Sequence, residues 1–250
     1  MSIYSRILLI SFVLIPVVCG QSIPTDRLEH ARAVNLQRLA GLPDFVADEL
    51  VTRYKSSHTN TPKWRYVDTI EAEIAVRGSS FTRQHVRLNG KSWDKPTFPG
   101  FNWGIQFGYE IKPLFNPECG TTFEFDGHKE VRGKQLLAYR YQSPKDDCFA
   151  TYTIDKNQYN PPGTGRLLID LTGNIIQFEE EVGEFPKGFG ADPFRQTITS
   201  DYVKVGTGSY LLPVAADIFG GFSGGFLWHV IVEYRNHRHF EASTNVTFQE

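Results

Sequence analysis

From Val67 onward the chain is written in alternation. Ile70, Ala72, Ile74 and Val76 alternate with Thr69, Glu71, Glu73 and Ala75, the period of two that marks a strand with one wet face. Gly78-Ser79-Ser80 turns the chain and 81–88 returns it, with Val86 and Leu88 on one face and Arg83, His85 and Arg87 on the other. Asn89-Gly90 is a second turn, of the type that accepts positive φ. The stretch 165–182 reads as a hairpin closed at Thr172-Gly173-Asn174, and we expect it to be the central hairpin of the sheet. Further strands are predicted at 121–125, 131–141, 149–155, 197–205, 209–212, 225–234 and 238–248. Asp126-Gly127, Pro161-Pro162-Gly163, Gly206-Thr207-Gly208 and Gly220-Gly221 punctuate them. Residues 44–54 fit both periods, since Val46, Leu50 and Tyr54 lie four apart, and are read as a strand.

Two stretches follow the helical period instead. After a Thr25-Asp26 start, Leu28, Ala31, Leu36 and Leu39 fall on one face, and Gly41 with Pro43 ends the run. That apolar face needs a sheet to pack on. Over 102–115, Trp103, Phe107 and Ile111 recur every four residues, which predicts a short helix closed by Pro113 and Asn116-Pro117. No strand–helix–strand alternation points to a parallel sheet, and no linker interrupts the strands. The expected fold is mainly β (α+β): a single curved antiparallel sheet or half-barrel of about ten strands. An N-terminal helix and one inserted helix lie on its concave face, and 21–250 form one domain.

Residues 1–20 read as a secretory signal peptide, with Arg6 before an apolar run over 7–18 and small residues at Val18 and Gly20, so cleavage is expected before Gln21. The run is too short to span a bilayer, and no transmembrane segment is expected in the mature chain. Cys19 offers an alternative, a lipid-anchored N-terminus, and a retained signal anchor is a third reading. An exported chain matures in the periplasm or outside the cell. Cys119 and Cys148 then read as a disulfide, with two buried thiols as the alternative.

Composition narrows the partners. A balanced charge, -2 overall, points to no polyanion-binding face, so nucleic acid is not expected as a partner. With 40% hydrophobic and 14% aromatic residues the chain can bury a real core. The run Glu179-Glu180-Glu181 reads as the solvated end of a strand.

Catalytic motifs are weak. Gly221-Phe222-Ser223-Gly224-Gly225 matches the nucleophile-elbow spelling, but a strand rather than a helix is predicted after Ser223, so a serine hydrolase is the least favoured reading. His237 and His239 share a strand face with no Cys or Asp to complete a metal set, and Arg235 and Arg238 flank them. Glu71 with Glu73, and Glu179 with Glu181, lie at strand spacing without a cleft between them. Gly133-Lys134 lacks the glycine spacing of a phosphate loop, and no dinucleotide fingerprint follows a strand. No cofactor and no metal are expected. Asn245-Val246-Thr247 is a glycosylation sequon.

The hairpin Gly165-x-Leu167-x-Ile169-Asp170-x-Thr172-Gly173-x-Ile175-x-x-Phe178-Glu179, with Asp201-Tyr202 and Leu212-Pro213, resembles the periplasmic lipoprotein-carrier (LolA-type) half-barrel. Leu42-Pro43-Asp44-Phe45, Arg53-Tyr54, Trp64 with Asp68, and Asn89-Gly90-Lys91 look like a group of exported bacterial proteins of that architecture. The resemblance implies a hydrophobic concavity that holds a lipid, acyl chain or other hydrophobic ligand. The alternative it implies is an envelope sensor or assembly module that binds another protein. Trp64, Trp103, Phe107, Ile111 and Phe123 are the candidate ligand-binding residues, and ordinary core packing is the alternative for each.

Overall fold

The computed structural model describes residues 25–240 apart from 58–60, 79, 105–106, 108–110, 145–147, 149–150 and 155. The expected signal peptide, Cys19 and the Asn245 sequon lie outside the described residues. Helix α1 (Thr25–Ala40) precedes β1 (Phe45–Ser56), β2 (Arg65–Arg77), β3 (Ser80–Leu88) and β4 (Lys91–Ser92). A long connection holding the single turn α2 (Ile111–Leu114) leads to β5 (Thr122–Val131) and β6 (Lys134–Ser143). A small separate hairpin, β7 (Tyr152–Ile154) with β8 (Asn157–Tyr159), follows. Then come β9 (Gly163–Ile169), β10 (Ile175–Val182), β11 (Phe194–Val205), β12 (Gly208–Gly221) and β13 (Leu227–His239).

Eleven of these strands form one open antiparallel sheet in the order β4-β3-β2-β1-β13-β12-β11-β10-β9-β6-β5. Most neighbours are consecutive in sequence, so the sheet is a meander. Its one distant closure is β1 on β13, in register from Phe45 opposite His239 to Ser56 opposite Leu227. The sheet is not closed on itself, and β4 and β5 are its edges. This is the mainly β half-barrel with helices on its inner face. Among the described residues no helix is long and apolar enough to cross a membrane.

Sequence and structure part at several places. The 165–182 hairpin forms as β9 and β10, but it lies to one side, and β12 with β13 occupies the middle of the order. Asp126-Gly127 is a bulge inside β5, where the register slips between Phe125 and His128, and the turn itself falls at Arg132-Gly133. Bulges and hairpin turns both use positive φ, so Asp-Gly marks either. β13 runs unbroken from Leu227 to His239, so 238–239 continue the strand expected to end at 234, and 241–248 lie outside the described residues. β12 extends past 212 to Gly221.

The inserted helix is also corrected. Among the described residues of 102–115, only Ile111–Leu114 is helical. Gly104 weakens a helix by about 1 kcal/mol, and 101–104 are not helical. The connection leaves the sheet at one edge and re-enters it at the other, so it works as a strap over the inner face. Trp103, Phe107, Ile111, Leu114 and Phe115 are all buried in the main core with Phe45, Val51, Ile70 and Ile74.

Two fixings hold the strap. At its start, Arg53 of β1 is fully buried. Its Nε and Nη2 donate to the two carboxylate oxygens of Asp68 at 2.7 and 2.6 Å. Its Nη1 donates to the carbonyls of Pro99 and Phe101, each at 3.0 Å. The rings of Phe98, Trp103 and Trp228 lie 5.4–5.9 Å from the guanidinium. Gly100 has φ +83°, and a Cβ there would stand 2.5 Å from the Trp228 ring, so only glycine fits between the two bonded carbonyls. At its end, Cys119 is disulfide-bonded to Cys148. With a separation of 29 residues, the link stabilises by about 3–4 kcal/mol in the chain-entropy model.

Helix α1 seats on the β9–β10 turn. Asn35 Nδ2 donates to the Gly173 carbonyl at 2.8 Å, and its Oδ1 accepts from Ile175 N at 3.2 Å. Arg38 Nη1 donates to the Leu211 carbonyl at 2.7 Å. Asp170 shapes the turn by accepting from Thr172 N, Thr172 Oγ1 and Asn174 N at 2.7–2.9 Å. Gly173 has φ +91°, and a Cβ there would lie 2.8 Å from His30. The turn residues are structural, and they dock a helix.

Asp68→Ala leaves the Arg53 charge buried and unmatched, a class of change that costs about 3–5 kcal/mol. Urea unfolding followed by tryptophan fluorescence is expected to show that loss, with Trp103 more exposed before the main transition. A loss below about 1 kcal/mol, the scale of a surface pair, contradicts the pinning role.

Candidate functional site

A cavity of about 550 Å³ lies between the strap and the inner face, within the about 300–1,000 Å³ range of small-molecule sites. Residues 100–104 of the strap form one wall, and β7 with the 183–193 connection forms another. The floor is Glu180 of β10, Gln196 of β11 and Ile218 of β12. The walls are aromatic. Phe185 and Phe189 stack at 5.4 Å. Tyr152 meets Phe185 and Phe194 edge-on at 5.3 and 5.2 Å, and Phe101 meets Phe222 at 6.3 Å.

The floor carries the electrostatics. Glu180 is 3% exposed. Burial pushes its carboxyl above the ordinary value, against the pull of Gln196 and Tyr152. Gln196 Nε2 donates to Glu180 Oε2 at 2.5 Å. Burial, then the Glu180 charge, pushes the Tyr152 hydroxyl up as well. The pair therefore resists ionisation, and the cavity presents an acid to whatever enters it.

The five predicted site residues do not converge. Trp103 alone lines the cavity. Its ring is stacked on Phe98 at 5.8 Å and faced by Arg83 at 5.2 Å, and Arg83 is itself paired with buried Glu49 at 2.7 Å. Trp64 stands on the outer face of the sheet, against Phe219 at 5.9 Å and His229 at 5.5 Å. Phe107 and Ile111 are core residues that border a void of about 20 Å³, room for one water. Phe123 stacks on Phe115 at 5.8 Å and edges a wide polar depression of about 970 Å³. Arg166 is paired there with Asp126 and Glu179.

Residues that the sequence reading passed over build the site. Phe185 and Phe189 sit in a Gly- and Pro-rich connection with no periodicity. Glu180 was hidden in its acidic run, although the signal was present. Successive side chains of a strand face opposite sides, so three consecutive glutamates cannot all be solvated. Glu179 and Glu181 face out, and Glu180 faces in.

The weaker chemical motifs resolve in the same way. Ser223 Oγ donates to the Ala191 carbonyl at 3.1 Å, and β13 follows it, so the strand–turn–helix context of a nucleophile elbow is not formed. His237 is half-buried beside Phe45, and His239 is exposed at the end of β13. Among the described residues no group of three or more His, Cys, Asp and Glu could hold a metal ion.

No protein-family model matches the chain, and no curated protein matches it. Among solved structures it is similar to a domain assigned to outer membrane lipoprotein sorting from Vibrio parahaemolyticus, at 11% identity over 87% of this chain and 94% of that one, with a TM-score of 0.41. A DUF1329 family protein of Desulfovibrio piger is similar at 8% identity over 88% and 96%, with a TM-score of 0.40. A LolA superfamily protein of Nitrosomonas europaea follows at 6% identity over 87% and 94%, with a TM-score of 0.26. The class to which the chain is assigned, an open antiparallel half-barrel with a helix and a strap on its inner face, rests on strand order and register.

Because the Glu180 carboxyl is held above its ordinary value of 4.5, the folded chain keeps a proton that the unfolded chain releases. Its contribution to stability is complete below that value and is lost as pH rises toward the shifted one. Glu180→Gln removes this dependence. Its melting temperature relative to the unaltered protein is expected to climb as pH rises above 4.5, by thermal scans at several pH values. A gap that stays constant with pH contradicts the shift.

Proposed function

We propose that this is an exported, non-enzymatic binding protein that holds a lipid or other hydrophobic ligand between the strap and the inner face of the half-barrel. The observation that carries this reading is the cavity of about 550 Å³ with aromatic walls, large enough for a small amphiphile. The Cys119–Cys148 disulfide supports an oxidising compartment, as does the signal-like N-terminus, and both support the reading that the protein works in the periplasm or outside the cell.

A second reading has its own support. Tyr66, Tyr54, His229 and Phe219 form a cross-strand row on the outer face, from β2 to β12, and Arg195 of β11 lies over the Phe219 ring at 4.2 Å. Tyr66 is 57% exposed and Trp64 37%. Exposed aromatic residues of this kind are common where proteins meet, so a partner in the envelope would dock there and not in the cavity.

Native mass spectrometry of protein purified without detergent is expected to show a bound apolar species, lost on delipidation and replaced by a polarity-sensitive fluorescent probe. Ala191→Trp, which fills part of the cavity, is expected to weaken the probe by about tenfold, the worth of one apolar side chain's contact. Probe binding that Ala191→Trp leaves untouched, or that Trp64→Ser abolishes, moves the site to the outer face and favours the second reading.

A further inference from the structure

We propose that the cavity selects an organic cation, an apolar body carrying an amine or quaternary ammonium head, with the Glu180 carboxyl as its counter-charge. This rests on the cavity being a ligand site at all, and it goes further by naming the ligand's charge.

The chain's treatment of its other buried carboxylates is the starting point. Glu49, Asp68 and Glu180 are the acids buried among the described residues. Glu49 is matched by Arg83 at 2.7 Å, and Asp68 by Arg53 at 2.6 Å. Among the described residues no cation is paired with Glu180: its neighbours are the neutral Gln196 amide and the Tyr152 hydroxyl. A buried acid without a counter-charge is costly, and Glu180 is the one of the three that opens on a cavity.

The lining agrees in sign. Its described residues include two acids, Glu180 and Asp192, and no Lys, Arg or His. A carboxylate or phosphate head would find no positive group there, whereas an ammonium head would take the place of the proton that burial keeps on Glu180 while no cation is present. An ammonium head would meet Glu180 among the aromatic lining residues Tyr152 and Phe185, the combination of a carboxyl with aromatic rings that favours cations without demanding directional hydrogen bonds. The protein already stacks guanidinium groups on its own aromatic rings, Arg53 and Arg83 on Trp103.

The test is calorimetric titration of the unaltered protein with decyltrimethylammonium, decanol and decanoate, each below its micelle-forming concentration. The cation is expected to bind about tenfold tighter than the alcohol, with decanoate weakest. Glu180→Gln is expected to bring cation and alcohol within about twofold of each other. Equal affinity for cation and alcohol in the unaltered protein, or tightest binding of decanoate, overturns the cation assignment and leaves an apolar site standing. A cation preference that survives Glu180→Gln overturns the role of Glu180. Failure of all three ligands to bind overturns the site itself. The three-ligand comparison uses the unaltered chain, so it decides the matter even if the variant does not fold.

Discussion

A single buried guanidinium ties the layers of this protein together. Arg53 lies on β1, the strand that receives both β2 and β13 and so joins the two ends of the chain. Its charge is matched across the sheet by Asp68 of β2, and its remaining bonds go up, to two carbonyls of the strap. A buried ion pair adds little net stability over a well-packed apolar pair. Here it gives position: the planar donor fork fixes where residues 99–101 cross the sheet. Without that fixed crossing, a connection of this length over an apolar face would have many near-equal ways to lie.

The position of the strap creates the cavity. Between the Arg53 pin and the Cys119–Cys148 link, residues 100–104 and Pro113 of the connection line the cavity, and aromatic residues of the 183–193 connection and β7 complete the wall. Charge is then distributed unevenly beneath it. Acids on the β1–β3 side are buried with arginines, whereas Glu180 on β10 is buried with neutral groups only. One half of the inner face is matched in charge within the described residues, and the proposed cation would complete the other.

Much of the sheet could be read from alternation, because one face is buried and the other wet, and Asn89-Gly90 and Thr172-Gly173 announce their turns. The strand β1 was legible only weakly, since its inner face carries Glu49 and Arg53 where apolar residues are expected. The inserted helix is formed at Ile111–Leu114, whereas 101–104 are not helical, because Trp103 is placed by its packing against the sheet and Arg53 and not by a helical turn. The site was legible least. Phe185 and Phe189 lie in a segment without periodicity, and Glu180 is disguised by its neighbours, although strand geometry alone turns it inward. Arg53 and Asp68 were visible as residues of the resemblance, yet only pairing β1 with β2 shows that they meet.

Hydrogen–deuterium exchange, with and without a saturating apolar ligand, measures most directly whether the strap closes a binding cavity. Ligand is expected to slow exchange in residues 98–104, β7 and the 183–193 connection, and to leave β3 and the β9–β10 turn unchanged. Protection confined to the outer-face row at Tyr54, Tyr66 and His229, with the strap unaffected, would contradict the cavity as the place where this protein binds.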